Sequence, residues 1–217
     1  MNVHFLNVGQ WNIVLIQIPR NKTILCDCNI TQSNKQDVLR YLKKALGVSE
    51  TDVMLNKYNN CTLIDIFINT HRDSDHMRGL KIVDDEFGIM EIWDSGVPGT
   101  TTDSPEYQEY MNLKRSKGSE IESLKKWSIG DFCLRIMNGK NGNFNDANEQ
   151  SLVIKLEYKG TGIMLAGDTS YRSWKEFIEI HYNDYDLKSE ILLASHHGLL
   201  SFFDDLSDSK AYYTKHI

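Results

Sequence analysis

Four residues with metal-binding side chains fall within six positions of the stretch Asn69-Thr70-His71-Arg72-Asp73-Ser74-Asp75-His76. His71 and His76 offer neutral imidazole nitrogens, and Asp73 and Asp75 offer anionic oxygens, a mixed donor set suited to a divalent ion. The stretch follows an apolar run, Leu63 to Ile68, interrupted by Asp65. A loop at the end of a buried strand can turn all four side chains toward one point, an arrangement for which a merely solvated loop has no use. Three other segments share this plan of an apolar run ending in a ligand-type residue. Ile24-Leu25-Cys26 precedes Asp27, Ile163-Met164-Leu165-Ala166-Gly167 precedes Asp168, and Ile191 to Ser195 precedes His196-His197-Gly198. One such aspartate reads as a turn or cap residue. Four such segments in one chain read as a metal centre. Asp73, Asp75 and Asp168 brought together would repel one another unless cations neutralised them.

The chemistry such a centre supplies is hydrolysis. A divalent ion lowers the pKa of bound water so that hydroxide is at hand near neutral pH. Two ions about 3.5–4 Å apart hold both the attacking oxygen and the charge developing on a phosphoryl or acyl centre. No serine or cysteine nucleophile is needed, and the surroundings of Ser95 do not form Gly-x-Ser-x-Gly.

The elements that must position these residues follow from the apolar pattern. Val3 to Val8, Ile13 to Ile18 and Thr23 to Cys28 read as three short strands broken at Gly9 and Asn21, close enough in sequence for an antiparallel meander. Asn34 to Leu46 has apolar residues at Val38, Leu39, Leu42 and Leu46, the spacing of a helix packed by one face, with a capping box expected at Ser33 and Gln36 and a stop at Gly47. Leu63 to Ile68 predicts a strand covered on both sides. Ile89 to Trp93, Phe132 to Met137, Leu152 to Tyr158, Gly162 to Ala166 and a buried Ile191 to Ser195 continue the strands, with a helix at Tyr171 to Ile180. Residues 96–127 form a polar excursion, helical toward Lys117, and read as a lid or insertion. The whole predicts a layered α/β sandwich in a single domain, residues 1–217.

Composition narrows the function. At 217 residues, 41% hydrophobic and 25% charged, the chain buries a normal core without structural metal, so metal ligands in it are functional. The formal net charge of -6 gives no overall cationic field for nucleic acid. A local phosphate track at Lys114, Arg115, Lys117, Lys125 and Lys126 is the alternative. Two bound divalent ions would offset four of the negative charges and make a polyanionic substrate easier to accept. Cys26, Cys28, Cys61 and Cys133 show no CxxC pair, and Cys26 and Cys28 sit too close in one extended segment to bridge comfortably, which predicts reduced thiols in a cytoplasmic protein. No apolar stretch approaches the roughly 18 residues of a membrane span, and the N-terminus has no signal-peptide pattern. Neither secretion nor a membrane partner is expected.

In order along nearly the whole chain, these motifs resemble the metallo-β-lactamase fold superfamily. The likeness is nearest to the metallohydrolase domains of the ComEC competence family. It rests on Phe5-Leu6-Asn7-Val8-Gly9-Gln10, on Thr70-His71-x-Asp73-x-Asp75-His76, on Asn148-x-x-Ser151-Leu152-Val153, on Gly167-Asp168 and on His196-His197-Gly198. The resemblance implies a four-layer αββα sandwich with a site at the shared edge of two sheets. It implies that Asp75, His76 and either His196 or His197 hold one ion, that His71 and Asp73 face the other, and that Asp168 bridges. Asp27 would orient the histidine loop, with Asn148 and Ser151 standing near the ligands. Asp75, Asp168 and His197 would carry the catalysis.

Two departures bear on the metal. Asp73 stands where most of the superfamily has a second histidine, and no histidine occurs between His76 and His181. Oxygen in place of nitrogen moves the preference from zinc toward Mn²⁺ or Mg²⁺, with one or two ions bound. A third departure is Gly9-Gln10-Trp11-Asn12 in place of Gly-Gln-Gly-Asp. The resemblance implies a phosphodiesterase or nuclease acting on nucleic acid or a smaller phosphoester. The alternatives are a regulatory binding protein with a one-metal or empty site, and an acyl or lactone hydrolase. The last ligand segment lies about twenty residues from Ile217, where relatives continue with another strand, so a shortened fold or the N-terminal part of a longer chain is expected. Oligomeric state has no signature in the sequence.

Overall fold

The computed structural model describes residues 1–9, 12–59 and 61–199, with the backbone alone at residues 12, 57 and 58. Gln10 and Trp11, singled out above, lie outside them. The chain forms two compact units, one of residues 1–93 and 99–119 and the other of residues 94–98 and 120–217.

The first unit opens with the expected meander. Strands β1 (Asn2–Asn7), β2 (Asn12–Ile18) and β3 (Lys22–Cys26) pair antiparallel, with Phe5 opposite Val14 and Leu15 opposite Leu25. Parallel strands β4 (Ile64–Ile68) and β5 (Ile89–Asp94) follow, and β6 (Gly118–Glu120) completes the order β1-β2-β3-β4-β5-β6. Ile64, Ile66, Phe67 and Ile68 are all buried, as a two-sided strand requires. The exception, Asp65, accepts from Thr23 N at 2.8 Å and pairs with Lys22, so its carboxylate stitches β4 to β3.

Helices α1 (Lys35–Leu46), α2 (Glu50–Tyr58), α3 (Ser74–Met77), α4 (Leu80–Phe87) and α5 (Pro105–Lys117) belong to this unit. One apolar cluster joins Val38 and Leu42 of α1, Val83 and Phe87 of α4, and Tyr107 and Tyr110 of α5 to Leu15, Leu25 and Phe67 of the sheet. Helix α1 stops at Gly47, whose φ of 68° is the left-handed conformation glycine accepts without strain. Its start differs from expectation. Asn34 is the cap residue and makes no side-chain cap bond, because its Oδ1 accepts from Thr31 N while Ser33 Oγ pairs with Thr31 Oγ1. Helix α2 was not anticipated, although Ser49 and Asp52 form a reciprocal capping pair there, with Ser49 N donating to Asp52 Oδ2 at 2.8 Å and Asp52 N to Ser49 Oγ at 3.2 Å.

The second unit carries the sheet β11-β10-β9-β8-β7, built from β7 (Lys126–Ile129), β8 (Phe132–Asn138), β9 (Val153–Tyr158), β10 (Thr161–Leu165) and β11 (Ile191–Leu193). The first four pair antiparallel, and β11 joins β10 in parallel. Among the described residues β11 stands at the end of the sheet order with Ile191 exposed, which corrects the reading of a buried strand. The helical segment expected from Tyr171 consists of α6 (Tyr171–Ser173), a π-helical turn over Trp174–Ile178 and α7 (Glu179–His181), followed by α8 (Asp184–Leu187). Trp174, Phe177 and Ile178 pack against Met137, Val153 and Met164 of the sheet.

Candidate metal centre

In the first unit the ligand-type residues gather where β3 and β4 end. Asp27 leaves β3 with a φ of 54°, a left-handed conformation that aspartate tolerates better than most residues. Its backbone N donates to Ile68 O, and Cys28 N donates to His76 O, so the end of β3 is fastened to β4 and to α3. The buried Asp27 carboxylate accepts from Thr70 N at 2.7 Å, from Thr70 Oγ1 at 2.9 Å and from His76 Nδ1 at 2.9 Å. With the proton on Nδ1, the His76 lone pair lies on Nε2, the tautomer a metal ligand requires. His76 Nε2 stands 3.3 Å from Asp75 Oδ2, and the His71 and His76 rings lie 4.0 Å apart. His71 Nε2 is 3.7 Å from Asp73 Oδ2. His71, Asp73, Asp75 and His76 thus share one small region, and Asp27 holds it through Thr70.

Both aspartates are ionised at neutral pH. Partial burial pushes the Asp73 carboxyl up, but the His71 imidazole and the Thr100 backbone and hydroxyl outweigh it and hold the group down to about 2. Burial acts against the charge of Asp75 too, and His76 overcomes it to leave that carboxyl below its usual value. The thiols behave oppositely: burial, then the Asp27 charge, push Cys26 and Cys28 well above the ordinary range. Both are free, buried and neutral, which removes them as nucleophiles.

The chain reverses after α3 because Gly79 adopts a φ of 90°, and a Cβ there would come within 2.4 Å of Ile30 Cβ. Gly79 lets the backbone after the histidine loop lie against the segment after Asp27.

The second unit holds the remaining ligand-type residues. Asp168 follows β10 in a turn opened by Gly167, and its N donates to Ser151 Oγ at 3.2 Å. His196 and His197 have φ values of 44° and 57°. Consecutive side chains on an extended strand point to opposite faces. Here the left-handed turn brings both to one carboxylate, with His196 Nδ1 and His197 Nε2 each 3.6 Å from Asp168 Oδ2. The turn is fixed by His196 N donating to Gly167 O at 3.1 Å, and by the Ser195 hydroxyl donating to Gly167 O and Thr169 O. Strain at two consecutive non-glycine residues, held by neighbouring bonds, is a frequent mark of a functional site.

Ser151 therefore touches the backbone of Asp168. Asn148 shapes the same turn, its carbonyl accepting from Ser151 N at 2.9 Å. Sequence reading missed Glu149 between them. Its buried carboxylate accepts from the Ser170 and Ser173 hydroxyls and from Ser173 N, and Asn138 Nδ2 donates to the carbonyls of Glu149 and Ser151 at 2.8 and 2.9 Å. It ties the 148–151 turn to the residues just after Asp168. Replacing Glu149 by alanine is expected to lower stability by about 3 kcal/mol, because Ser170 Oγ and Ser173 N lose their buried acceptor, while Ser173 Oγ keeps the Glu149 carbonyl at 2.9 Å. Thermal melting checks this, and an unchanged midpoint would contradict it.

Three of the five residues of the suggested phosphate track are buried or paired. Lys114 is buried, Lys117 pairs with Asp84 at 2.6 Å, and Lys125 lies 3.5 Å from Glu122. His181 is spent on its own helix, its Nδ1 2.9 Å from Phe177 O and its ring 4.3 Å from the Phe177 ring.

Imidazole nitrogens with the tautomer set by a carboxylate, beside ionised aspartates, form a donor set that fits a divalent ion. No helix among the described residues is long and apolar enough to cross a membrane.

Comparison with known proteins gives the family and the fold. Residues 6–200 match the description of the metallo-β-lactamase superfamily, a span that includes both ligand groups. Among solved structures, a motif mutant of a metallo-β-lactamase from Cronobacter sakazakii is similar to 89% of this chain over 76% of its own, with a TM-score of 0.53 and 16% identity. The metallo-β-lactamase SMB-1 in complex with mercaptoacetic acid is similar over 90% of this chain and 77% of its own, with a TM-score of 0.54 and 15% identity. At such identities these likenesses establish the fold and leave the substrate open. A search among curated proteins found no match. With its two sheets, its helices and a family match over residues 6–200, the chain has the metallo-β-lactamase fold and belongs to the metallo-β-lactamase superfamily, whose members are metal-dependent hydrolases.

Proposed function

We propose that this protein is a metal-dependent phosphodiester hydrolase resembling the ComEC-type domains. In this reading His71, Asp73, Asp75 and His76 of the first unit are metal ligands, as are Asp168 and one of His196 and His197 of the second. The observation that carries the substrate class is Asp73. It stands beside His71 where a zinc site would have another imidazole, and no histidine in residues 77–180 replaces it. Oxygen-rich donors favour Mn²⁺ or Mg²⁺, ions suited to phosphoryl oxygens, at the His71 and Asp73 position, whereas His76 and the histidine pair suit zinc or manganese.

Bound divalent ions supply an activated water and neutralise charge developing on the substrate. The chain's own residues do the rest. Asp27 holds the His76 proton on Nδ1 and keeps Nε2 available. Asp168 offers a buried carboxylate beside the histidine pair. Whichever imidazole of the 196–197 pair holds no ion donates a proton to the leaving oxygen. A small phosphodiester suits the site better than a long nucleic acid, because Lys114 and Lys117 are taken up within the protein. The reading places the protein in the cytoplasm, in keeping with its free thiols.

The test compares turnover of a chromogenic bis-aryl phosphodiester, an aryl lactone and a chromogenic cephalosporin at one Mn²⁺ concentration. The phosphodiester is expected to be preferred, with single-stranded DNA and RNA cleaved more slowly than the small substrate. Preference for the lactone or the cephalosporin would replace this reading with acyl hydrolysis.

A further inference from the structure

We propose that the turn Gly99-Thr100 is a positioning strap for Asp73, engaging one carboxylate oxygen and leaving the other as the atom offered to an ion beside His71. The inference rests on the metal-centre reading above. It assigns a role to residues that no motif marks, 27 positions away from the aspartate they serve.

Three observations carry it. An aspartate at a helix start ordinarily directs its carboxylate to the N–H groups of the next turn. Asp73 is the cap residue of α3, yet its side chain makes no such bond. The carboxylate turns instead to Thr100, whose N donates to Asp73 Oδ1 at 2.8 Å and whose Oγ1 lies 3.1 Å from the same atom. Two donors on Oδ1 leave Oδ2 as the oxygen toward His71 Nε2, at 3.7 Å. Finally, the strap lies so close to the histidine loop that only glycine fits. A Cβ on Gly99 would fall 1.8 Å from the Arg72 carbonyl oxygen and 2.9 Å from Asp73 Oδ1.

The arrangement answers a problem the chain sets itself. An imidazole has one lone pair aimed in a fixed direction, whereas a free carboxylate can rotate and bind through either oxygen or both. The strap restores a single direction to Asp73, so that it ligates through one oxygen. The segment carrying the strap is thus part of the metal site. In this role Thr100 and Gly99 are positioning residues, acting on the ion through Asp73.

Titration of the full-length, metal-stripped chain with Mn²⁺ by calorimetry tests this, using wild type, Thr100→Val, Thr100→Ser and Gly99→Ala. Thr100→Val keeps the shape and the backbone donor but removes the hydroxyl. It is expected to weaken the weaker Mn²⁺ site by about tenfold, and Gly99→Ala by about a hundredfold, as loss of groups that orient a ligand does elsewhere. Thr100→Ser should restore wild-type affinity, and the melting temperature of metal-free Thr100→Val should match wild type, which a merely structural role would not produce. Unchanged Mn²⁺ affinity in Thr100→Val, or no rescue by serine, would overturn the strap alone. A wild-type chain that binds no Mn²⁺ would overturn the metal-centre reading and the strap with it.

Discussion

Asp168→Ala is expected to lower metal-dependent turnover by more than ~100-fold and to reduce the number of ions retained per chain. In the second unit His196 and His197 both approach Asp168 Oδ2 at 3.6 Å. If Asp168 bridges as proposed, removing it takes a shared ligand from both ions and takes from the histidine pair the carboxylate that both approach. Its backbone stays in place, because the bonds that hold the turn run from the Asp168 N to Ser151 and from Ser195 and His196 to Gly167. The variant should therefore fold and melt close to wild type while losing activity. Asp168→Asn separates charge from shape, since it keeps the volume and one acceptor oxygen, and it should be nearly as inactive. Near-normal turnover in either variant would disprove the bridging role.

Asp27→Ala should damage fold and site together. Three donors converge on this buried carboxylate: Thr70 N, Thr70 Oγ1 and His76 Nδ1. Without it a buried backbone N–H loses its partner, at a cost of about 3 kcal/mol in stability. The histidine loop would also lose the group that sets its tautomer. Asp27→Asn is the sharper variant. Asparagine accepts the left-handed φ of 54° and can still accept from Thr70 N, so the chain should fold. Its amide nitrogen cannot accept from His76 Nδ1, so Nε2 is no longer held as the ligand atom, and metal affinity should fall about 10–100-fold. Equilibrium dialysis against Mn²⁺ and Zn²⁺ measures this, and wild-type affinity in Asp27→Asn would show that Asp27 serves folding only.

Much of this was legible in the amino-acid order because burial and ligation write themselves locally. Ile64 to Ile68 announced a covered strand, and its one charged residue turned out to be paired with Lys22 and Thr23 N. Aspartates and histidines just past apolar runs stand close together within each unit, His71 by Asp73 and the 196–197 pair by Asp168, because a strand end holds a side chain at a defined place. What stayed hidden depends on contacts distant in sequence or on backbone angles. Helix α2 lacks an apolar stripe, since Val53 is buried while Met54 and Leu55 are exposed. The bonds from Thr100 to Asp73, and from Ser170 and Ser173 to Glu149, join segments that no periodicity links. Two successive left-handed histidines gave no sign of themselves, because nothing in a His-His pair marks its backbone conformation. For a related reason a run of lysines does not reveal which of them meet carboxylates elsewhere in the chain, as Lys117 meets Asp84.

The central claim, that these residues form a metal-dependent phosphodiester hydrolase, is tested most directly by one measurement. The full-length protein is stripped with chelator, and hydrolysis of a chromogenic bis-aryl phosphodiester is followed as Mn²⁺ is added back. Turnover is expected to be absent without metal and to rise to saturation with added ion, at one or two equivalents bound per chain. No tight metal and no Mn²⁺-dependent turnover would contradict the account.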